Sequence, residues 1–210
     1  MSTASHPNTE PLTSGTELQS DSGQTYQIEE VLADRRKPLL CVYRASAERR
    51  NYIVKNMIKG DFDYQLSLQK SLSALPNVRK VIDTVKDLGM LIYPLLSGDL
   101  FHLSQKNLSE KTRRYILQKA LQGLADMHDK DVLHNDIKPN NILVDYEERP
   151  EDGIAIKTVQ ISDLENAVIV PPGKWLAGSL CGNAIWRSPE SWCRSRQNQA
   201  SDVFSFGIVV

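Results

Sequence analysis

Residues 132–144, with the sequence VLHNDIKPNNILV, limit the possible folds of this chain more than any other segment. Apolar residues stand at both ends of the segment, and six polar side chains lie between them. Short apolar runs bounded by polar residues are typical of buried strands. We therefore expect a polar loop held on both sides by buried strands, an arrangement that favours a functional site.

The side chains of this loop fit phosphoryl transfer. Asp136 can accept the proton of a hydroxyl group, and Lys138 can neutralise charge on the transferred phosphoryl group. The amide oxygen of Asn141 can bind Mg²⁺, which prefers hard oxygen ligands and usually takes only one or two from the protein. Asp163 follows the next apolar strand and would supply a carboxylate. We expect Asp136 and Lys138 to be catalytic, Asn141 and Asp163 to bind the metal, and His134 to be structural.

Composition narrows the class of protein. The 210 residues are 40% hydrophobic and 24% charged, enough for one sizeable core or two small lobes. A formal net charge of -1 favours neither a nucleic-acid partner nor a membrane surface, and it says nothing about oligomeric state. The three cysteines lack CxxC spacing, and the first residues lack the features of a secretory signal. We expect free thiols in a cytoplasmic or nuclear protein that is not secreted.

Residues 1–24 contain many Ser and Thr and no aromatic residue, so we expect a disordered tail. Strands are predicted from Tyr26 onward, followed by a helix over 61–75 and two more strands before residue 96. The clearest predicted helix covers 109–130, with Ser109 as its N-cap. A polar turn over 144–153 and a strand over 154–163 come next. A last apolar helix has no cap after Val210, so we expect an incomplete C-terminal part.

Taken in order, these motifs resemble the signature of eukaryotic protein kinases. HNDIKPNN resembles the catalytic loop, YIVK resembles the strand whose lysine binds phosphate, and SDLE occupies the place of the metal-binding D-F-G. WRSPE resembles the A-P-E end of the activation segment. The final SDVFSFGIVV resembles the next helix, with Asp202 in the place of the acid that braces the catalytic loop. The Lys-Pro pair is more like serine/threonine kinases than tyrosine kinases.

The resemblance implies an α+β, bilobal kinase-like fold with a strand-rich N-lobe over 25–96 and a helical, incomplete C-lobe over 97–210. It implies ATP and Mg²⁺ as cofactors and a protein substrate that is phosphorylated on Ser or Thr. Lys55 would contact the phosphates. The other residues expected to bind the nucleotide are apolar or aromatic: Ile53, Tyr93, Leu95 and Leu143.

Several positions depart from the family pattern. The glycine-rich loop that should cover the phosphates is missing, because no glycine lies between the first two predicted strands. Arg35, Arg36 and Lys37 lie there and would offer side-chain charge instead. Gln65 falls near the place of the helix glutamate that pairs with the strand lysine, so Lys55 would be held less firmly. We therefore expect weak activity.

Further departures lie near the catalytic loop. Asn135 replaces the arginine that normally pairs with a phosphate on the activation loop, so we expect that phosphorylation there is not the on-switch. Ile53 replaces a small alanine and narrows the adenine slot. Glu165 replaces the glycine of D-F-G, and Asn183 replaces a threonine ahead of A-P-E. We also expect Glu190 to lack its usual arginine partner.

Two alternatives to an active protein kinase stay open at this point. The altered motifs also fit a pseudokinase, a binding or scaffold module without turnover. A small-molecule phosphotransferase of the kinase-like fold also uses H-x-D-x-x-x-x-N followed by a later aspartate. Such enzymes typically lack the Lys-Pro pair and the S-P-E segment, both of which are present here, so this alternative is the least favoured.

Overall fold

The computed structural model describes residues 10–36, 38–58, 60–149 and 153–210. The chain divides into two compact units. The first comprises the chain up to Lys70 together with Lys80–Leu95, and the second comprises Ser71–Arg79 together with Leu96–Val210. The boundary predicted at residue 96 lies one residue from the observed one. The prediction did not anticipate that Ser71–Arg79 joins the second unit, because the contacts that place this segment there are distant in sequence.

In its described residues, the first unit is an antiparallel sheet with one α-helix. Its six strands lie in the order β1-β2-β3-β4-β6-β5, and α1 lies between β4 and β5 in the chain. The bounds are β1 Glu17–Gln19, β2 Thr25–Arg36, β3 Leu39–Ala47, β4 Arg50–Asn56, α1 Phe62–Ser71, β5 Asp83–Val85 and β6 Met90–Pro94. The three strands predicted after Tyr26 are confirmed. The helix is also confirmed, although it ends at Ser71, well before Pro76.

Alternate side chains of this sheet point to opposite faces, which gives it two apolar clusters. On β4, Val54 joins one cluster and its neighbour Ile53 joins the other. The first, which we call the interior cluster, is the larger. Its buried members are Leu18, Tyr26, Ile28, Cys41, Tyr43, Ala45, Ala47, Val54, Val85, Met90 and Ile92.

The two edges of the sheet meet each other. β1 and β5 lie at opposite ends of the strand order, yet the N–H of Asp21, just after β1, donates to the Thr84 carbonyl of β5 at 2.8 Å. The Asp21 carboxylate also accepts from the Thr84 hydroxyl, and the Ser22 hydroxyl donates to Asp83 at 2.5 Å. The sheet therefore closes on itself around the interior cluster, and both edge strands are covered.

The disordered tail predicted over residues 1–24 is wrong for residues 10–24. β1 pairs with β2, and Leu18 is buried in the interior cluster. The backbone N–H of Leu12 donates to the Tyr43 hydroxyl at 3.1 Å. Composition missed this segment because backbone pairing and two leucines, not a large apolar content, hold it in place. Residues 1–9 lie outside the described residues.

The second unit contains the longest helix and two small sheets. Its three-stranded sheet has the order β10-β9-β7, and β8 pairs with β11. The bounds are β7 Gly98–Asp99, α2 Leu100–Leu103, α3 Glu110–His128, β8 Val132–Leu133, β9 Ile142–Arg149, β10 Gly153–Ile161, β11 Val168–Ile169, α4 Pro189–Trp192 and α5 Gln199–Val209. None of the helices in the described ranges is long and apolar enough to cross a membrane.

Most of the second unit follows the sequence-based expectations. Ser109 caps α3, where its hydroxyl accepts from the Thr112 N–H at 3.1 Å. The strand-rich first unit and the helices of the second confirm the predicted α+β class. The polar turn predicted over 144–153 is wrong for most of its length, since β9 continues to Arg149 and β10 begins at Gly153. Cross-strand pairing explains the difference, because Lys157 forms an ion pair with Glu147 across the hairpin. All three cysteines are free, as predicted.

Segment 71–79 is fixed to β10 by Asn77. The Asn77 amide donates to the Val159 carbonyl at 2.9 Å, and its own carbonyl accepts the Ile161 N–H at 2.8 Å. Gly123 of α3 packs against this same carbonyl so closely that an added Cβ would lie 2.4 Å from the oxygen. The close approach requires a glycine, and it sets the position of α3 beside the strand that leads to Asp163.

We expect Gly123→Ala to lower the free energy of unfolding by about 1–3 kcal/mol, because the new methyl group would collide with backbone that cannot rotate away. Chemical denaturation of the purified chain measures the change. Gly207→Ala is the matched control, since an added Cβ on that helical glycine would meet nothing within 4 Å. Equal stability of the Gly123→Ala chain and the wild type would contradict the prediction.

Candidate active site

The loop over residues 134–141 connects β8 to β9. The apolar residues on its two sides are at most 1% exposed: Val132, Leu133, Ile142 and Val144. The prediction that buried strands flank the polar loop is therefore confirmed. β8 is paired with β11, and β9 is paired with β10. Because both flanking strands are held by partners, the polar loop between them has fixed ends.

The Asp136 carboxylate is buried and receives three hydrogen bonds. Its Oδ2 accepts from the Lys138 ammonium at 2.6 Å and from the Asn141 amide at 3.1 Å. Its Oδ1 accepts from the backbone N–H of Asn183 at 2.8 Å. An ionised carboxylate offers about four acceptor positions. One position therefore remains for the hydroxyl group of a substrate, which is the contact that a catalytic base requires.

His134 has a structural role, as predicted. It is fully buried, and its Nε2 lies 2.8 Å from the Ser162 carbonyl, which can only accept. Its Nδ1 accepts from the Asp136 N–H at 3.1 Å. The two contacts fix the neutral tautomer with the proton on Nε2. His134 therefore ties Asp136 to the residue that precedes Asp163.

Asp202 of α5 holds the loop over residues 134–141 in place through its carboxylate. Its carboxylate accepts from the backbone N–H groups of His134, at 2.8 Å, and of Asn135, at 2.9 Å. It also contacts His128 Nε2, at the end of α3, at 3.0 Å. Asp202 is 1% exposed, so its charge is stabilised almost entirely by these contacts. The bracing role predicted for Asp202 is confirmed, whereas the contact of His128 with Asp202 was not predicted.

The two expected metal ligands flank neighbouring strands, because Asn141 directly precedes β9 and Asp163 follows the end of β10. Ile142 and Ile161 are register partners, and the Ser162 N–H donates to the Asn141 carbonyl at 2.8 Å. Asn141 and Asp163 therefore stand at the same end of the β9–β10 pair. The Asn141 amide nitrogen donates to Asp136, which leaves its amide oxygen as the group that can bind a cation. An amide oxygen beside a carboxylate is a donor set that fits Mg²⁺.

Asn135 and Asp163 both adopt left-handed backbone conformations, with φ of 64° and 65°. Asn tolerates this conformation better than most residues. The Asn135 amide donates to the Asn166 carbonyl at 3.0 Å. This hydrogen bond joins the catalytic loop to the segment after Asp163, at the position where the family pattern has an arginine.

The activation segment approaches the loop through Gly182. This residue has φ of 75°, and an added Cβ would lie 2.5 Å from the Asn135 carbonyl oxygen. Only glycine fits there, and the turn places the backbone N–H of the next residue, Asn183, within hydrogen-bonding distance of Asp136. Arg187 fixes the same turn by donating to the carbonyls of Cys181, at 2.7 Å, and Gly182. Its guanidinium carbon also lies 4.8 Å from the centre of the Trp192 ring.

Two ionisable groups near this segment have shifted pKa values. Burial raises the pKa of the Cys181 thiol, which keeps it protonated. Burial also works against ionisation of Glu190, but hydrogen bonds, chiefly from the Ser201 hydroxyl at 2.5 Å, lower the pKa of its carboxyl group. Ser201 therefore supplies Glu190 with a partner on α5 that the sequence-based expectation did not foresee.

The residues expected to bind the nucleotide fall in both units. In the first unit, β4 carries Ile53 and Lys55, and Ile53 is the register partner of Tyr93 on β6. Ile53 and Tyr93 are buried together in the second apolar cluster of the sheet. Leu95 follows β6 and is exposed, with its N–H bonded to the Asn51 carbonyl. In the second unit, Leu143 is half-buried on β9 beside Asp99 of β7.

The hairpin between β2 and β3 takes the place of the glycine-rich loop. Arg36 forms ion pairs with Glu10 at 2.6 Å and with Asp34 at 2.7 Å. These pairs are exposed and contribute little to stability, but they engage the guanidinium. The positive charge of Arg36, which was expected to be available to phosphate, is therefore already neutralised by these two carboxylates. Lys37 lies outside the described residues.

The sequence matches the protein kinase domain over residues 42–210. This chain belongs to the protein kinase family. Aurora kinase of Eremothecium gossypii is 28% identical over 176 residues, which cover 81% of this chain and 44% of that protein. Calcium/calmodulin-dependent protein kinase type 1 of Macrobrachium nipponense is 26% identical over 75% of this chain and 45% of its own length.

A third relative is the serine/threonine-protein kinase pakG of Dictyostelium discoideum, which is 35% identical over 52% of this chain and 9% of its own length. This kinase chain therefore spans less than half the length of these relatives. The matched residues include the catalytic loop, Asp163, the activation segment and α5. The recognition made from motifs is thus confirmed at the level of the family.

Two features of this kinase site have no signal in the sequence. The contact of Asn183 with Asp136 uses a backbone N–H, which every residue except proline carries. Asp99 caps α2 and also accepts from the Asn140 amide at 3.3 Å, which joins it to the catalytic loop. A capping residue is recognisable from sequence, but its contact with a loop forty residues later is not.

Proposed function

We propose that this kinase transfers the γ-phosphoryl group of ATP to a serine or threonine hydroxyl of a protein substrate, with weak turnover. The observation that carries the proposal is the set of hydrogen bonds around Asp136. Three donors among the described residues fix the orientation of the carboxylate, and one acceptor position remains. A fixed, ionised acid can accept the proton of an alcohol as the phosphoryl group is transferred.

The neighbouring residues supply position and charge. Lys138 lies 2.6 Å from Asp136, so its ammonium stands beside the reacting hydroxyl and can neutralise charge on the phosphoryl group. Asn141 and Asp163 would hold Mg²⁺ through an amide oxygen and a carboxylate, and the bound ion would neutralise charge on the phosphates. Family membership supports Lys55 as the residue that would contact the nucleotide phosphates. The names of the relatives support serine and threonine as acceptors.

A transfer assay tests the proposed function. The purified chain is incubated with labelled ATP, Mg²⁺ and a basic protein, and the product is hydrolysed to identify the labelled amino acid. We expect slow labelling of serine or threonine that stops when EDTA removes Mg²⁺. Heat-treated protein serves as the control for contaminating label. Absence of label above that control would overturn the proposal.

A scaffold without turnover is the second candidate, and Gln65 favours it. This residue stands near the place of a glutamate, and an amide at this position cannot form an ion pair with the Lys55 ammonium. The missing glycine loop removes further phosphate contacts. Such a protein would bind other proteins through its kinase-like surface and would transfer nothing.

Metal-dependent nucleotide binding separates the two candidates. We expect ATP to raise the melting temperature of the wild type more with Mg²⁺ than without it. Asp163→Asn should remove the extra shift because the anionic ligand is lost. Asp126→Asn, on the surface of α3, is the matched control. If ATP raises the melting temperature equally with and without Mg²⁺, and equally in the wild type and Asp163→Asn, the result would favour the scaffold.

A further inference from the structure

A chain of buried hydrogen bonds joins α1 to the sheet of the first unit. The Tyr93 hydroxyl of β6 donates to Gln69 Oε1 at 2.9 Å. The Gln69 amide nitrogen then lies 3.4 Å from Gln65 Oε1, one helical turn earlier. All three side chains are at most 5% exposed. These hydrogen bonds connect Tyr93 on the strand to Gln69 on the helix, and Gln69 to Gln65.

This set of hydrogen bonds is one of the contacts that attach α1 to the sheet. The buried residues of the helix are two leucines and two glutamines, Gln65, Leu66, Leu68 and Gln69. Buried amides are unfavourable unless they are hydrogen-bonded, so the helix is stable against the sheet only where the amides meet their partners. Hydrogen bonds are directional. They therefore fix the rotation of α1 about its axis more strictly than its leucines can.

The sheet face under α1 is the one that carries Lys55. Leu66 of α1 packs with Ile53, Leu91 and Tyr93 in the second apolar cluster. Lys55 pairs with Leu91 on β6, and Ile53 pairs with Tyr93. Because residues two apart on a strand share a face, Lys55 and Ile53 lie on the same side of β4. The rotation of α1 thus determines which groups the helix presents to Lys55.

We propose that Tyr93 is a positioning residue that holds α1, and with it Gln65, against the strand of the nucleotide-binding lysine, by neutral hydrogen bonds in place of an ion pair. The inference rests on the proposed function for the role of Lys55 in nucleotide binding. The proposal assigns Tyr93 a positioning role in addition to its expected role in lining the adenine-binding site. Its hydroxyl acts through Gln69, so nucleotide affinity depends on an atom that need not touch the nucleotide.

Tyr93→Phe is the direct test, because it removes the hydroxyl and keeps the ring. Without the hydroxyl, the buried Oε1 of Gln69 loses the hydrogen bond that Tyr93 donates to it. We expect faster hydrogen exchange over Phe62–Ser71 and a KM for ATP·Mg²⁺ raised by about threefold to tenfold, with a much smaller change in kcat. ADP affinity, measured by calorimetry, should fall by the same factor.

Tyr52→Phe is the matched control. Tyr52 lies one residue from Ile53 on β4 and packs against the interior cluster on the other face, with its ring 5.0 Å from that of Tyr26. We expect exchange over α1 and ADP affinity to stay at wild-type values in this variant. Equal loss in both tyrosine variants would show general destabilisation of the sheet and would overturn the proposal.

A rescue variant distinguishes positioning from packing. Gln65→Glu, added to Tyr93→Phe, creates a carboxylate that can pair with Lys55, so α1 would be held by charge instead. We expect the double variant to recover ADP affinity at low salt and to lose it as salt screens the pair. No recovery, or wild-type behaviour of Tyr93→Phe, overturns the inference. Exchange and ADP binding require no phosphoryl transfer, so failure of the transfer assay alone would overturn only the proposed function.

Discussion

Asp136→Asn should reduce phosphoryl transfer by about a hundredfold to ten-thousandfold, the range for loss of a general base. An amide has nearly the shape of a carboxylate but cannot take a proton from an alcohol. Its nitrogen would also replace one of the two carboxylate oxygens, and it would then face a donor, either the Lys138 ammonium or the Asn183 backbone N–H. The measurement is the initial rate of labelled phosphate transfer under saturating ATP and Mg²⁺.

The control for this variant separates chemistry from folding. Asp126→Asn changes the same residue type on α3, where the carboxylate accepts from the Gln122 side chain and makes no hydrogen bond with the described residues of the catalytic loop. It should transfer phosphate at the wild-type rate. ADP affinity should be nearly equal in all three proteins. A rate for Asp136→Asn within threefold of wild type would show that another group accepts the proton.

The second large effect is on stability. Asp202→Ala should lower the free energy of unfolding by about 3–5 kcal/mol, since three polar groups around a buried carboxylate lose their partner together. Two of them are the backbone N–H groups of His134 and Asn135, which the loop cannot turn toward water without unfolding. Chemical denaturation followed by tryptophan fluorescence gives the value.

Asp202→Asn provides a graded comparison for the same site. Its remaining oxygen can still accept one backbone N–H, so we expect a loss between those of the wild type and the alanine variant. Asp126→Ala on the surface of α3 should change stability by no more than about 0.5 kcal/mol. If Asp202→Ala unfolds at the same denaturant concentration as wild type, the bracing role assigned to Asp202 is wrong.

The catalytic loop could be predicted from the sequence because its chemistry is contained in eight consecutive residues. His134, Asp136, Lys138 and Asn141 stand close in the chain, and strand pairing brings Asp163 to the same end of the sheet. The contact of Asn183 with Asp136 could not be predicted, since it depends on a backbone N–H delivered by a turn forty-seven residues later. Roles carried by side chains leave a pattern in the sequence, whereas roles carried by the backbone do not.

The first unit was predicted less completely, for a related reason. Its central strands have clear apolar alternation, and they lie where the pattern placed them. β1 has only three residues, and the contacts that Asp21 and Ser22, just after it, make with β5 are with residues more than sixty positions away. The link between Tyr93 and Gln69 was equally hidden, because buried glutamines on a helix resemble surface residues in any periodic pattern.

The closure of the sheet by Asp21 and Ser22 decides where a recombinant kinase domain can begin. The family match starts at residue 42, inside β3. A protein expressed from that residue would lack Leu18, Tyr26 and Ile28, and would expose the apolar side chains that they now cover. Such a fragment should be less soluble than a protein that starts at or before Glu10, because the longer protein keeps these side chains and the closure of the sheet.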